Sequence, residues 1–220
     1  MPVCGREGEQ LHSQDLNDDH KHWLRREKFR IFTAMDFLGD PSRVRNCIGV
    51  YAILIRNAGA LLSKAGLPDM GVSRWYLRDH HHVYTGSSTA MRSRALQHLA
   101  GAVSDSAVRE SLLALQYRGE LLWPGNECQL PAWEAQLTAW LSKNAFVAFR
   151  PCEWEVYKVE RDLIERLPSP FNTEGNRCSA LIPPLADLRA QFRQHLKATG
   201  QTPTALAQSP SEWLLGANPR

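Results

Sequence analysis

The chain has 220 residues, 43% hydrophobic and 22% charged, with seven tryptophans; this excludes disorder throughout and suits one well-buried domain with terminal elaborations rather than two full domains. A formal charge of +3 and a pI near 8.7 are too mildly basic to identify a nucleic-acid partner by themselves. No segment approaches the roughly 18 uninterrupted apolar residues of a membrane span, and the start MPVCGREGEQ lacks a signal-peptide core, so the expectation is a soluble, cytoplasmic protein with no membrane partner.

Asn17 to Leu38 is predicted as a helix, capped by Asn17, with Asp18 and Asp19 in its first turn and Gly39-Asp40-Pro41 ending it. CIGVYAILI (47–55) is a short apolar run rich in β-branched residues, a buried strand with Tyr51 in its middle. Residues 56–74, with Gly59, Gly66, Pro68 and Gly71, form a long connection holding at most a helical turn or two. WYLRDHHHVYTG (75–86) resumes an extended pattern and pairs with 47–55 as an elaborated antiparallel hairpin. SSTAMRSRALQHLAG then offers Ser and Thr caps, good helix formers and a terminal Gly101. Further helices are expected at 104–123, with Gly119 as an interruption, at 130–144 and at 153–167, where Pro168 and Pro170 forbid continuation. FVAFRP (146–151) is strand-like, and the C-terminal segment is helical from Leu185 before a tail rich in Pro, Ala and Gln. This order does not alternate as a doubly wound sheet would, so the class is α+β with a small, mainly antiparallel sheet.

On a wheel of 153–167, Val156, Leu163 and Leu167 form one stripe, bordered by Tyr157 and Ile164, and Glu160 falls at its centre. Lys158, Arg161, Asp162, Glu165 and Arg166 point away. A carboxylate at an apolar position requires a metal, a cation or a hydrogen-bond set, and the pattern leaves a structural ion pair and a functional ligand both open. After Gly86, Met91, Ala95, Leu99 and Ala102 form a helix face with Arg94 and His98 one turn apart along its margin. Two cationic groups there, near free N–H groups at the helix start, suit an anion; a solvated Arg and a surface His are the plainer explanation. The basic clusters RREKFR (25–30), RVR (43–45) and RAQFRQHLK (189–197) serve equally as phosphate tracks or solvated faces. His80, His81 and His82 cannot all face one metal, because adjacent strand residues point oppositely, and they read as surface histidines. The five cysteines, scattered and without a C-x-x-C pair, read as reduced and mostly buried thiols.

GVY (49–51) and VYTG (83–86) resemble the two motifs that name the GIY-YIG nuclease superfamily, with Val50 and Thr85 replacing isoleucines. Arg94 stands ten residues after Tyr84, His98 four further on, and ERDLIERLPSPFN (160–172) is similar to the family segment that runs from a helical Glu to an Asn. The similarity covers 47–177, including NTEGNR at its end, and leaves 1–46 as an N-terminal helical extension, 56–74 as an insertion and 178–220 as a C-terminal helix and loose tail. The motif tyrosines are 33 positions apart, wider than in compact members.

The resemblance implies a three-stranded, mainly antiparallel sheet flanked by helices, and a metal-dependent endonuclease that hydrolyses DNA phosphodiester bonds. It would gather Tyr51, Tyr84, Arg94, His98 and Glu160 in one pocket. Glu160 would hold one Mg²⁺ or Mn²⁺ whose other ligands are water and phosphate, and Arg94 would fork onto phosphate oxygens. Tyr51 would be the general base or water-positioning group, Tyr84 and His98 would orient water and carry the proton, and Asn172 would brace the Glu160 end. RNA stays open as a substrate, and cutting both strands of a duplex would need a homodimer or successive binding. The alternative is an inactive DNA- or RNA-binding module of the same fold; an HNH-type site at Asp79 and His80 lacks its further Asn and His.

Overall fold

The computed structural model describes residues 28–67, 76–77, 79–119, 122, 129–167, 169–172 and 182–201. Within them, five strands form one antiparallel sheet: β1 (Arg30–Thr33), β2 (Gly49–Arg56), β3 (Tyr76–Leu77), β4 (His80–Ser88) and β5 (Ala145–Pro151), in the spatial order β1-β5-β2-β4-β3. The helices are α1 (Ala34–Gly39), α2 (Ala58–Lys64), α3 (Met91–Ala100), α4 (Ala107–Gly119), α5 (Leu130–Asn144), α6 (Val156–Arg166) and α7 (Ile182–Ala198). The α+β reading holds. The expected three strands are the centre of the sheet, β5-β2-β4, and two short edge strands extend it.

The start of the chain departs from expectation. Asn17 lies outside the described residues, but over 28–38 the continuous helix is replaced by β1 and the short α1. Arg30 to Thr33 pair with Phe149 back to Phe146, so the edge of β5 recruits a β-branched and aromatic tetrapeptide that helical periodicity alone also accommodates. Thr33 then caps α1, its hydroxyl accepting from the Asp36 N–H at 3.0 Å. The connection after β2 contains α2, of nearly two turns, and residues 68–74 of it lie outside the described set. The predicted C-terminal tail and the segment NTEGNR beyond Asn172 also lie outside it.

β2 is buried on both faces, which explains its unbroken apolar run. One face, carrying Tyr51, Ile53, Ile55, Val147 and Phe149, shares a core with α1 to α5 and α7. The other, carrying Val50, Ala52, Leu54 and Ala148, packs on Val156 and Leu163 of α6 and on Leu167 at its end. Burying three such side chains contributes roughly 1.5–3 kcal/mol each, enough to fix α6 on the sheet.

Two irregularities shape β4. A bulge skips Val83, so that Ile53 pairs with Tyr84 and Leu54 with His82. β3 pairs only with His80 and His81, and beyond them the outer edge of β4 is occupied by the chain that follows α6. There the Phe171 N–H donates to Val83 O at 2.9 Å, and Asn172 bonds Thr85. The histidine run is not a surface feature: His80 and His82 are buried, His80 against Phe146 and the Asp79 carboxylate, His82 against Thr85 Oγ1 at 2.8 Å.

Candidate active site

Tyr51 projects from β2 toward α3 and is almost wholly buried, with 1% of its surface exposed. It pairs across the ladder with Gly86, and the absence of a side chain there is required: a Cβ on Gly86 would collide with the Tyr51 hydroxyl and ring. Tyr84 shares this face, its ring centroid 6.2 Å from that of Tyr51. His98, in the last turn of α3, closes the group, with its ring 4.8 Å from Tyr84 and 5.5 Å from Tyr51.

The polar atoms of this cluster form a line. Tyr51 Oη lies 2.9 Å from His98 Nε2, and His98 Nδ1 lies 2.7 Å from Ser106 Oγ, which also accepts from the Arg109 N–H at 3.1 Å. Burial raises the Tyr51 pKa far above the ordinary phenol value; Tyr84 adds to the rise and Arg94 opposes it, so the phenol is protonated at neutral pH. Burial pushes His98 down to about 3, with Arg94 and Arg109 acting in the same direction. The expected second cation is therefore a neutral imidazole. A neutral ring has one donor and one acceptor nitrogen, so either Tyr51 donates to Nε2 while Nδ1–H donates to Ser106, or both bonds are reversed.

Arg94 lies one turn before His98 and is half-buried; its Nη1 donates to Gln97 Oε1 and Asp105 O, both at 2.8 Å. It borders an open cleft of about 480 Å³ that Arg193, paired with Glu110 at 2.8 Å, also lines. The start of α3 is not the expected ring of free donors. The Met91 N–H is bonded to Cys47 O and the Ser93 N–H to Asn46 Oδ1, and the helix begins at Ala90 without a side-chain cap. The positive group here is the Arg94 side chain rather than the helix end.

Glu160 reaches β4 from the opposite sheet face. As the wheel indicated, it lies on the buried stripe of α6 and is half-buried, whereas Tyr157 at the border is exposed. One carboxylate oxygen accepts from the Ser87 N–H at 3.1 Å and the other from Ser87 Oγ at 2.5 Å. Asn172 hydrogen-bonds Thr85 rather than Glu160. Its Oδ1 accepts from the Thr85 N–H at 2.8 Å and its Nδ2 donates to Thr85 O at 2.7 Å, which holds the strand two residues from Ser87. Gly86, against Tyr51, and Ser87, against Glu160, thus join the two halves of the site through one peptide bond.

Among the described residues no three His, Cys, Asp or Glu side chains gather as a metal cage. A single half-buried carboxylate beside a hydroxyl matches instead a hard divalent cation that keeps most of its water, so Glu160 fits that kind of ligand.

Ser87 and Ser106 were not singled out by the sequence. Ser87 has a local signal, being the residue after the glycine of the second motif. Ser106 is legible only as the cap of α4, and its bond to His98 depends on the fold. Arg109 is a further buried cation, its Nη atoms donating to Leu99 O, Glu134 O and Thr138 Oγ1 beneath the site.

No curated protein and no solved structure matches the chain. A family model described as the GIY-YIG catalytic domain matches residues 49–194, or 146 of 220, from the first residue of β2 into α7. That span contains both motif strands, the Arg94 helix, the Glu160 helix and Asn172, and the chain therefore belongs to the GIY-YIG family, whose catalytic domains are typically nucleases that use a divalent metal.

Proposed function

We propose that the protein is an endonuclease that hydrolyses DNA phosphodiester bonds through a single metal-binding carboxylate, Glu160, with Mg²⁺ or Mn²⁺ as the metal. The observation that carries this reading is the Gly86-Ser87 junction: Tyr51 lies against one residue and the Glu160 carboxylate is bonded to the next.

Bound at Glu160, the cation supplies Lewis-acid stabilisation of charge on the phosphate. The residues do the rest. Ser87 aims the carboxylate with two donors and Asn172 keeps Ser87 in place by clamping Thr85. Arg94 turns from its Gln97 and Asp105 contacts to fork onto phosphate oxygens, in a cleft where Arg193 gives the strand a second positive neighbour. Tyr51 is a protonated phenol and positions the attacking water. Its hydroxyl is held in place by the neutral His98 ring at Nε2, which Ser106 braces at Nδ1. Tyr84 packs on both rings and fixes their orientation. One site per chain nicks one strand, so cutting a duplex through takes two chains or two visits.

Supercoiled plasmid incubated with Mg²⁺ tests this. Wild type nicks it, and Glu160→Ala and Arg94→Ala abolish nicking while the circular dichroism spectrum is unchanged. Full activity in Glu160→Ala sinks the assignment. A gel shift in EDTA without any cutting in Mg²⁺ would instead mark a nucleic-acid-binding module that has lost catalysis.

A further inference from the structure

Among the described residues, four large apolar side chains are exposed, and three of them, Ile48, Trp154 and Tyr157, belong to one end of the sheet. Trp154 is 82% exposed and Tyr157 73%, three positions apart at the entry to the helix that carries Glu160. Ile48 is tied to the same place, its carbonyl accepting from the Cys152 N–H at 3.1 Å, two residues before Trp154. Glu155, between the two aromatics, adopts a left-handed backbone with φ 53°, rare for a residue with a Cβ, and it turns Trp154 out of the line of α6 instead of adding it to the helix. Tyr157 precedes Glu160 by about one helical turn, roughly 4.5 Å along the axis and 60° around it. Arg161 and Lys158, both exposed, lie on the side of Tyr157 away from Glu160, Lys158 paired with Glu155 at 3.2 Å.

We propose that Trp154 and Tyr157 form a stacking platform for an unpaired nucleobase of the substrate strand next to the phosphate that is cut, so that the enzyme favours single-stranded or locally opened nucleic acid over an intact duplex. This rests on the nuclease reading of Glu160. An exposed Trp and Tyr beside a catalytic carboxylate offer π-faces to any base, but only a base out of its duplex stack presents both of its own. Arg161, exposed and about 40° around the helix from Tyr157, matches a phosphate next to that base. A second protein chain is a poorer occupant: two aromatic side chains cover at most about 500 Å², against the roughly 1,000 Å² that a stable interface needs.

The test uses the full chain in EDTA, where cutting is blocked, with oligonucleotides of DNA and of RNA carrying 2-aminopurine at successive positions, each as a single strand and as a duplex. Wild type quenches the probe on the single strand. Trp154→Ala and Tyr157→Ala each weaken single-strand binding by about tenfold, the effect of losing one stacked base. Both variants lose the quench and leave duplex affinity within about twofold, while Trp154→Phe keeps most of the quench. The DNA and RNA arms identify which nucleic acid supplies the base. Unchanged quenching and affinity in the alanine variants overturn the proposal, as does an equal loss for single strand and duplex, or a shift from dimer to monomer with nucleic-acid binding intact. A wild type that quenches but never cuts in Mg²⁺ refutes the nuclease reading and leaves the platform standing; one that cuts while Trp154→Ala quenches normally does the reverse.

Discussion

The Tyr51 hydroxyl lies in the space that a side chain on Gly86 would occupy. The glycine of the second motif is thereby explained by the tyrosine of the first. Replacing it with Ala inserts a methyl group into a buried contact that neither strand can widen without breaking the β2–β4 ladder. Gly86→Ala is expected to cost about 1–3 kcal/mol in urea denaturation and to abolish nicking. A variant as stable as wild type would show that Tyr51 has room to move.

Tyr51→Phe removes one oxygen and keeps the packing, yet it leaves His98 Nε2 buried without its partner. A loss of about 1–3 kcal/mol in stability should follow, together with a fall in nicking rate. Near-normal rates would refute the part given to the hydroxyl in positioning water.

The neutral state of His98 makes stability depend on pH. A histidine in the unfolded chain titrates near 6.5, whereas burial holds folded His98 down to about 3. As pH falls through 6.5 the unfolded chain takes up a proton that the folded one refuses, so stability is present above that value and lost below it, at up to about 1.4 kcal/mol per pH unit. His98→Gln removes this titration. The stability gap between wild type and this variant, measured by urea denaturation at pH 7.5, 6.5 and 5.5, should narrow as pH drops; a constant gap would contradict a neutral, buried imidazole.

Ser87→Ala deletes the hydroxyl donor to Glu160 but retains the backbone N–H. Loss of a bond that orients a metal ligand typically lowers metal affinity or activity about 10- to 100-fold. Titrating Mg²⁺ in the nicking assay should show a raised requirement for the cation, with activity recovering at high concentration. No recovery would mean that Ser87 does more than aim the carboxylate.

Asn172→Asp is isosteric but cannot donate to Thr85 O, and it sets a carboxylate against that carbonyl. With one bond lost and one acceptor left buried, the variant should be destabilised by about 1–3 kcal/mol. Its nicking should fall because the strand before Ser87 is no longer clamped. An unaffected nicking rate in a folded variant would uncouple the clamp from the site.

The part of the candidate site legible without any resemblance is the residue that contradicts its own element. Glu160 breaks the apolar stripe of α6, whereas Tyr51 stood out only through the resemblance of GVY to a family motif. His98 was misread because a helical wheel gives direction, not depth: the cover over its ring comes from Tyr51 and Tyr84, strands away in sequence. The same limit hid β1, whose residues join the sheet because β5 has an edge to fill. Ser87 and Ser106 are ordinary hydroxyls until the fold sets them against Glu160 and His98.

The segment after α6 has a further effect. An exposed strand edge is a template on which a neighbouring molecule can add its own backbone. Beside Val83 and Thr85 that template is filled from within, by the Phe171 amide and the Asn172 side chain acting as a strand in miniature. Two copies of the protein therefore have no continuous β-sheet to build across this border. A pairing of two copies, such as the proposed double-strand cleavage would need, would have to use helical surface or another edge, leaving the flank of β4 with Tyr84 to Ser87 committed to its own chain.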